Sequence, residues 1–240
     1  MELPELCICI CTYKRPWYGM LAINALNGWL GYAGPVRFHI ADGGSPQEDI
    51  DYYKILLRDR RVTVETTTNL ADMMNSCARN GGDYWMAVLD DFVLRYPLDV
   101  TPDVMMLAEH PEIGCVRMGR LAFWGAVGNG IEVSADLVKY GDLHWWRLDK
   151  ARTNDPYMSS IGAHLYHRRF WDAYGDIPPA PPNYPGLAET QGNARFRAKD
   201  GPTVAVPMRF GEDYAEHYEP FWHLGIWRTD EYKETVGSRL

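Results

Sequence analysis

The sequence lacks several features that would assign it to a broad class. Over its 240 residues, no apolar run approaches the ~20 residues that a transmembrane helix needs. The first residues are acidic and contain no basic segment of the secretory type. Acids outnumber bases 32 to 24, and the formal net charge of −8 disfavours nonspecific coating of nucleic acid or anionic membrane. Internal repeats and low-complexity tails are also missing.

Cysteine occurs without the spacing of a disulfide framework or a zinc site. The chain has 5 cysteines, an odd number, and Cys7, Cys9 and Cys11 alternate within one apolar segment. Alternate residues of a strand share a face, and no paired CxxC motif accompanies them. We interpret these three, with Cys77 and Cys115, as small buried core residues in a reducing compartment. This interpretation predicts a cytoplasmic location.

Hydrophobic residues are plentiful enough for a sizeable core. They make up 46% of the chain and charged residues 23%, which excludes a disordered protein. The length fits one compact domain or two tightly joined halves. We divide the chain at about residue 120, because its pattern becomes less regular beyond that point.

Short apolar strands alternate with helices through the first part. Strands are predicted at 6–11, 36–41, 61–66 and 84–89, with helices at 17–30, 46–60 and 69–80. Ser45, Pro46 and Glu48 have the pattern of a capping box at the second helix. The order predicts an α/β fold with a mostly parallel central sheet flanked by helices.

The second part is assigned less completely. Residues 122–157 carry many glycines, tryptophans and charges, and no element is assigned there. Strands are predicted at 114–118, 161–167 and 203–207, and helices at 102–110, 168–174 and 189–199. The proline-rich stretch 177–186 is predicted to be a loop, and we hypothesise that it acts as a lid.

Polar clusters follow three of the predicted parallel strands. They are residues 12–15, residues 42–45, and the pair Asp90 and Asp91. Ligands of such sheets bind outside the carboxyl ends of the strands. The three clusters are therefore expected to meet at one binding site.

The adjacent aspartates have two interpretations. A divalent cation would relieve the repulsion between Asp90 and Asp91, and hard oxygen ligands suit Mg²⁺ or Mn²⁺. Alternatively, the pair lies in a solvated turn. Asp42 likewise either caps the turn formed by residues 42–45 or accepts hydrogen bonds from a ligand that the glycines allow to approach.

These motifs together resemble a known family. Cys11-Thr12-Tyr13-Lys14-Arg15-Pro16, Ala41-Asp42-Gly43-Gly44-Ser45, Asn69 with Asn75, and Gly82-Asp83-Tyr84-Trp85 leading to Leu89-Asp90-Asp91 form the set in chain order. The first 120 residues resemble the nucleotide-sugar half of inverting GT-A glycosyltransferases of the family-2 type. No Walker loop or Rossmann glycine fingerprint competes with this resemblance.

The resemblance implies a GT-A-like, Rossmann-like fold and a set of donor-site residues. The implied nucleotide-sugar-binding residues are Thr12, Tyr13, Arg15, Asp42, Asn69 and Asp90. Tyr13 would lie against the base, Asp42 on the base or ribose, and Asp90 on the ribose or the metal. Asp91 would be the principal ligand of Mn²⁺ or Mg²⁺. The chain departs from the family where Leu89-Asp90-Asp91 replaces Asp-x-Asp and where Ala41 replaces the first acid of a pair.

The second half matches the family only in part. Glu189 falls near the position of the catalytic base, and Asp213 in Gly211-Glu212-Asp213 is the alternative. His223 resembles a late histidine that would be a third metal ligand, although a histidine among aromatics is more often a core residue.

The implied activity is metal-dependent, inverting transfer of a sugar from a nucleotide-diphosphate sugar to a hydroxyl. Residues 1–120 would bind the donor, a UDP-sugar being favoured, and residues 121–240 would bind the acceptor and carry the base. The acceptor stays open among saccharide, protein, lipid carrier and modified nucleobase; a DNA base is not favoured. The alternatives are a noncatalytic nucleotide-sugar or glycan-binding module, and a nucleotidyltransferase, whose usual glycine-rich first turn is missing here.

Overall fold

The computed structural model describes residues 2–118, 133–148, 150, 163–180, 187–210 and 220–224. The described residues form thirteen strands and six α-helices. The strands are β1 (Leu6–Thr12), β2 (Leu30–Gly31), β3 (Val36–Asp42), β4 (Arg61–Thr66), β5 (Tyr84–Leu89), β6 (Phe92–Leu94), β7 (Leu98–Asp99), β8 (Ile113–Arg117), β9 (Val133–Tyr140), β10 (Leu143–Leu148), β11 (His164–His167), β12 (Thr203–Pro207) and β13 (Phe221–His223). The helices are α1 (Pro16–Trp29), α2 (Gln47–Leu56), α3 (Leu70–Asn80), α4 (Thr101–Glu109), α5 (Arg168–Tyr174) and α6 (Leu187–Ala198), with a 3-10 turn at Met208–Phe210.

One large sheet runs through the molecule. Its strand order is β4-β3-β1-β5-β11-β8-β12-β10-β9. The strands β4, β3, β1 and β5 are parallel, as the sequence predicts. The strand β11 is antiparallel to both β5 and β8, and β10 is antiparallel to β12 and β9. The predicted α/β fold with a central sheet flanked by helices is confirmed, and its second half contains more antiparallel pairs than the first.

The alternation of β1 divides the core into two layers. Leu6, Ile8 and Ile10 belong to one cluster of buried residues, which includes side chains of α1, α2 and α4. The cysteines between them belong to a second cluster, with side chains of α3, α5 and α6. All five cysteines are buried and free, which confirms their prediction as core residues. Successive strand side chains point to opposite faces, so the sequence pattern alone determines this division.

The second half is anchored to the first by a buried polar contact. Trp145 of β10 is fully buried and its indole N–H donates to Asp103 of α4 over 2.9 Å. Arg209 pairs with the same carboxylate. A buried carboxylate needs such partners, because leaving it unpaired is costly. The strands β9 and β10 lie within residues 122–157, for which no element is predicted from the sequence.

The predicted capping box at α2 is wrong. The helix begins at Gln47 after Pro46, and no side chain caps its N-terminus. Ser45 instead accepts a hydrogen bond from the backbone N–H of Lys14 over 3.0 Å. A contact between two loops therefore takes the hydroxyl that the local pattern assigns to the helix. The helix also ends at Leu56, earlier than the predicted residue 60.

No helix in the described part of the chain combines the length and the apolar character that crossing a bilayer requires.

His167 caps α5 and resists protonation. Its ring nitrogen Nδ1 accepts a hydrogen bond from the backbone N–H of Arg169 over 3.1 Å. Burial, together with the nearby Arg169, lowers the pKa of His167 from 6.5 to about 4. Between these values the unfolded chain binds more protons than the folded chain, so the free energy of unfolding falls as the pH falls through this window.

We predict that His167→Asn loses less stability in acid than the native protein. Asparagine is a good capping residue and does not titrate in this range. Urea unfolding followed by circular dichroism, from pH 7.5 down to about 4, measures the difference between the two proteins. Parallel losses of stability over this range would contradict the contribution assigned to His167.

Candidate active site

Three strand ends meet at one edge of the sheet. In the register of β1 with β3, Thr12 lies opposite Asp42, and in that of β1 with β5, Cys11 lies opposite Leu89. The backbone N–H of Asp90 donates to the carbonyl of Cys11 over 2.9 Å. Neighbouring strands are about 4.8 Å apart, so two strand spacings of roughly 10 Å separate Asp42 from Asp90. The predicted convergence of the polar clusters on one edge is confirmed.

Asp42 caps its own turn and keeps one oxygen for another partner. Its Oδ2 accepts from the backbone N–H groups of Gly44 at 2.8 Å and Ser45 at 2.7 Å. Its Oδ1 is buried and has no hydrogen-bond partner among the described residues. The residue is only 2% exposed. A buried polar atom without a partner is costly, so Oδ1 is suited to accept a further hydrogen bond. The two interpretations of Asp42 are therefore compatible.

Thr67 fixes the backbone carbonyl of Asp42. The sequence patterns did not identify this residue. Its backbone N–H and its hydroxyl both donate to the carbonyl oxygen of Asp42, over 2.7 and 2.9 Å. Thr67 is buried although it follows the end of β4. The available signal was the run of three threonines at 66–68, directly after a predicted strand. Such a double contact fixes the direction in which the loop after β3 leaves the sheet.

Tyr13 lies over Gly43, and Lys14 Nζ lies 5.4 Å from the centroid of its ring. A Cβ atom added to Gly43 would collide with the Tyr13 ring and lie 2.5 Å from the terminal methyl of Met73. Tyr13 itself is 51% exposed. Lys14, next in the chain, has a positive φ of 51°, which only a tight turn imposes on a residue with a side chain. This turn and the missing side chain at Gly43 hold an aromatic surface beside Asp42.

Asp90 is fully buried and surrounded by donors. Its Oδ2 accepts from the Thr12 hydroxyl at 3.3 Å, the Tyr13 backbone N–H at 3.2 Å and Arg15 Nε at 3.2 Å. Its Oδ1 accepts from Arg15 Nη2. Burial raises the pKa of Asp90 to about 6, opposed by the charge of Arg15 and reinforced by that of Asp91. Asp90 therefore organises the loop after β1.

Asp91 is the second acid and shares Arg15 with the first. Its Oδ2 accepts from Arg15 Nη1 over 3.1 Å, and the residue is 7% exposed. One guanidinium thus contacts both carboxylates. The predicted proximity of these three residues is confirmed, whereas their roles toward a ligand stay predictions.

The backbone brings His223 next to this pair. The strand β13 pairs antiparallel with β6 and sets His223 opposite Phe92. The backbone N–H of Leu224 donates to the carbonyl of Asp91 over 2.8 Å. The side chain of His223 lies outside the described residues, so its role as a ligand stays a prediction.

The acidic residues at this edge of the sheet suit a divalent cation that substrate phosphates also hold. Within the described part of the chain, no three His, Cys, Asp or Glu residues cluster as metal ligands. Mg²⁺ is usually bound by one or two carboxylates together with substrate phosphates. Asp91 suits that role, and His223 is placed beside it. Asp90 is already engaged by four donor contacts, so we assign it to the loop rather than to the cation.

The other candidate residues are placed as follows. Asn69 caps α3, since its Oδ1 accepts from the Asp72 N–H over 3.0 Å. Glu189 is the third residue of α6, and its side chain lies outside the described residues. Asp213 lies wholly outside them. Their roles toward nucleotide or acceptor stay predictions.

Asn75 fastens the loop that precedes α6. Its side chain donates to the carbonyl of Ile177 over 2.9 Å and accepts from the Ile177 N–H over 2.8 Å. This pair of bonds holds the start of the proline-rich loop on α3. Residues 181–186 of the hypothesised lid lie outside the described residues. The sequence singled out Asn75 within a motif without giving it a role.

Comparison with known proteins identifies the fold. No protein-family model matches the sequence, and no curated protein sequence matches it either. The S. aureus TarS 1-349 structure superimposes with a TM-score of 0.57 at 12% identity, over 85% of this chain and 60% of that one. The fold is GT-A-like. A TarS structure in complex with UDP-GlcNAc gives a TM-score of 0.54 at 12% identity, over 90% of this chain and 60% of that one.

Two further structures carry nucleotide and metal. The mannosyltransferase PcManGT from Pyrobaculum calidifontis, in complex with GDP-Man and Mn²⁺, has a TM-score of 0.56 at 12% identity, over 86% of this chain and 57% of that one. GalNAc-T7 with UDP, GalNAc and Mn²⁺ has a TM-score of 0.57 at 13% identity, over 85% and 42%. This chain thus spans about 60% or less of the length of each of these proteins. The similarity establishes the shared fold.

We predict opposite stability changes for two glycine-to-alanine substitutions. Gly43→Ala should destabilise the protein by about 1 kcal/mol or more, because the new methyl displaces Tyr13 and Met73. Gly28→Ala in α1 meets nothing within 4 Å and should stabilise by about 0.5–1 kcal/mol through helix propensity. Urea unfolding measures both. A neutral or stabilising Gly43→Ala would show that the Tyr13 ring moves without cost.

Proposed function

We propose that the protein is a metal-dependent, inverting glycosyltransferase that moves a sugar from a nucleoside-diphosphate sugar to an acceptor hydroxyl. The observation that carries the proposal is the buried Oδ1 of Asp42, which has no hydrogen-bond partner among the described residues and lies on the same sheet edge as the Asp90–Asp91 pair. The fold shared with nucleotide-sugar-bound structures supports it. A UDP-sugar is the favoured donor.

The nucleoside would bind between the loops after β1 and β3. The Oδ1 of Asp42 accepts a hydrogen bond from a base N–H or a ribose hydroxyl. This bond would offset the cost of burying that oxygen. The half-exposed ring of Tyr13 stacks on the base. Thr12 and Asp90 hold this loop in place through the hydroxyl–carboxylate bond of 3.3 Å. Asn69 shapes the neighbouring loop after β4.

The diphosphate would lie over Arg15 and Asp91. Arginine binds phosphate oxygens through two parallel N–H groups. Asp91, with His223 beside it, would hold Mn²⁺ or Mg²⁺, which supplies positive charge for the departing nucleoside diphosphate. The carbonyl of Asp91 is fixed by the Leu224 N–H, so this part of the site is tied to β13.

A carboxylate from α6 would activate the acceptor. Glu189 takes the proton of the acceptor hydroxyl while that oxygen attacks the anomeric carbon from the face opposite the diphosphate. The bond from the anomeric carbon to the diphosphate breaks as the new bond forms, which inverts the configuration. Asp213 is the alternative base. Asn75 sets the path of the chain into α6 through its two bonds to Ile177.

The acceptor would bind on the side formed by the second half of the chain. A saccharide, protein, lipid carrier or modified nucleobase each provides a hydroxyl, and the acceptor side would be formed by residues 121–240. The single sheet that joins both halves supports one compact domain with two functional sides. The cytoplasmic location is proposed from the free cysteines.

The deciding experiment combines binding and turnover. Thermal shifts with a panel of nucleoside diphosphates, with and without Mn²⁺, identify the base and the metal because selective ligands stabilise by mass action. Incubation with the matching nucleotide sugar then measures its slow hydrolysis. A binding module would bind without releasing sugar, and a nucleotidyltransferase would release pyrophosphate when given a nucleoside triphosphate and a sugar phosphate instead. Either result would overturn the proposal.

We predict that Asp42→Asn weakens nucleotide binding at least tenfold, about 1.4 kcal/mol. The asparagine oxygen can still accept from the Gly44 and Ser45 N–H groups, which leaves an NH₂ group where Oδ1 accepted from the nucleoside. Calorimetric titration with UDP in the presence of Mn²⁺ measures the effect. Asp51→Asn, an exposed change in α2, is the matched control and should bind normally. Unchanged affinity in Asp42→Asn would remove Asp42 from the site.

We predict that Glu189→Gln lowers turnover by about 10²–10⁴ while nucleotide binding is retained. Asp91→Asn should instead lose metal-dependent donor binding as well as turnover. Release of nucleoside diphosphate from the donor measures turnover, and Glu112→Gln, an exposed change, is the control. If Glu189→Gln keeps full activity and Asp213→Asn loses it, the base is Asp213.

A further inference from the structure

Arg15 occupies the space between the two aspartates that follow β5. Its Nε lies 3.2 Å from Asp90 Oδ2, its Nη2 contacts Asp90 Oδ1, and its Nη1 lies 3.1 Å from Asp91 Oδ2. Three donor atoms of one planar group thus contact two neighbouring carboxylates. Any cation that approached the same oxygen of Asp91 would meet this guanidinium.

We propose that Arg15 is a built-in counter-ion that competes with a divalent cation for Asp91 and releases it when a diphosphate binds. Metal binding then depends on the donor, and the donor and the metal bind cooperatively. The inference rests on the proposed function for the identity of the diphosphate and extends it to the coupling between the two ligands.

Burial identifies the arginine as the partner that moves. The side chain of Asp90 is 0% exposed and that of Asp91 is 9% exposed, whereas that of Arg15 is 41% exposed. Main-chain hydrogen bonds hold both aspartates. The Asp90 N–H donates to the carbonyl of Cys11 in β1, and the Leu224 N–H donates to the carbonyl of Asp91. Arg15 lies just before α1, where its side chain makes no cap hydrogen bond. It covers the carboxylates from the solvent side.

Charge explains why the exchange needs a diphosphate. Two carboxylates and one guanidinium leave one net negative charge, so a divalent cation is attracted to the pair. To reach Asp91 Oδ2 it must however replace the Arg15 contact, and removing one partner of a partly buried ion pair without a substitute is costly. Phosphate oxygens provide that partner, because they match the arginine fork as a carboxylate does. The coupling must be reciprocal, so UDP raises Mn²⁺ affinity by the same factor as Mn²⁺ raises UDP affinity.

The test measures Mn²⁺ binding to the whole chain by electron paramagnetic resonance of free Mn²⁺. Arg15→Met should bind Mn²⁺ at least tenfold more tightly than the native protein without nucleotide. The factor by which UDP improves Mn²⁺ affinity should be at least tenfold smaller in this variant. Arg58→Met is the matched control, because its side chain is 79% exposed and pairs only with the neighbouring Asp59 among the described residues. It should behave as the native protein.

Several outcomes overturn the proposal. Equal or weaker Mn²⁺ binding by Arg15→Met without nucleotide shows that Arg15 does not compete. If Arg15→Met fails to fold, Arg15→Lys replaces it, because an ammonium cannot hold both carboxylates through a fork. That variant should bind Mn²⁺ more tightly than the native chain, and equal binding counts against competition. If no protein binds any nucleoside diphosphate but Arg15→Met binds Mn²⁺ more tightly, competition stands while the proposed function and the coupling fall.

Discussion

The site depends on three carboxylates that are buried at one edge of a parallel sheet. Asp42, Asp90 and Asp91 are at most 7% exposed, although an ionised carboxylate loses strong hydration when it is buried. Each must therefore be surrounded by donors, and the strand ends provide them as backbone N–H groups and as the Arg15 guanidinium. Most contacts around the site offset the free-energy cost of burying these carboxylates.

The partners of the three acids are of different kinds. Asp90 is satisfied within the protein by the loop after β1, and it fixes that loop. The turn that follows Asp42 occupies its Oδ2, and its Oδ1 has no hydrogen-bond partner among the described residues. Asp91 shares the partly exposed Arg15 with its neighbour. Three residues of the same type thus have different partners, because their surroundings differ.

Supporting contacts come from segments distant in sequence. Thr67 fixes the carbonyl of Asp42 from the loop after β4, and Leu224 fixes that of Asp91 from β13. Asn75 joins α3 to Ile177, 102 residues further along the chain. None of these side chains or backbone groups needs to touch a ligand. They fix the loops that carry the aspartates at the sheet edge, and without them these loops would be held by fewer hydrogen bonds.

Local patterns predicted much of the first half. The alternation in β1 gave both its strand form and the assignment of its cysteines to one face, since a strand repeats every two residues. Short apolar or β-branched runs predicted β4 and β5, and Pro16 predicted the start of α1. The polar ends of β1, β3 and β5 located the site, because parallel strands carry their carboxyl ends to the same edge.

Other features depended on contacts that no local pattern contains. Ser45 has the spacing of a capping residue, but its hydroxyl instead accepts a hydrogen bond from the backbone N–H of Lys14 in the loop after β1. Thr67 and Asn75 gain their roles only when β3 and the loop at Ile177 come next to them. The hairpin of β9 and β10 lies among glycines, tryptophans and charges without a clear period, and its place is set by Trp145 reaching Asp103.

The sequence by itself determined the alternating core of β1, the order of strands and helices in the first half, and the residues gathered at the sheet edge. These follow from periodicity and from the geometry of parallel strands, which act within a few residues. The tertiary structure alone decided that Arg15 bridges Asp90 and Asp91 and that Oδ1 of Asp42 has no partner within the part of the chain that the structure describes. Both facts depend on which donors reach a buried carboxylate across the fold, and that competition has no signature in a local stretch of chain.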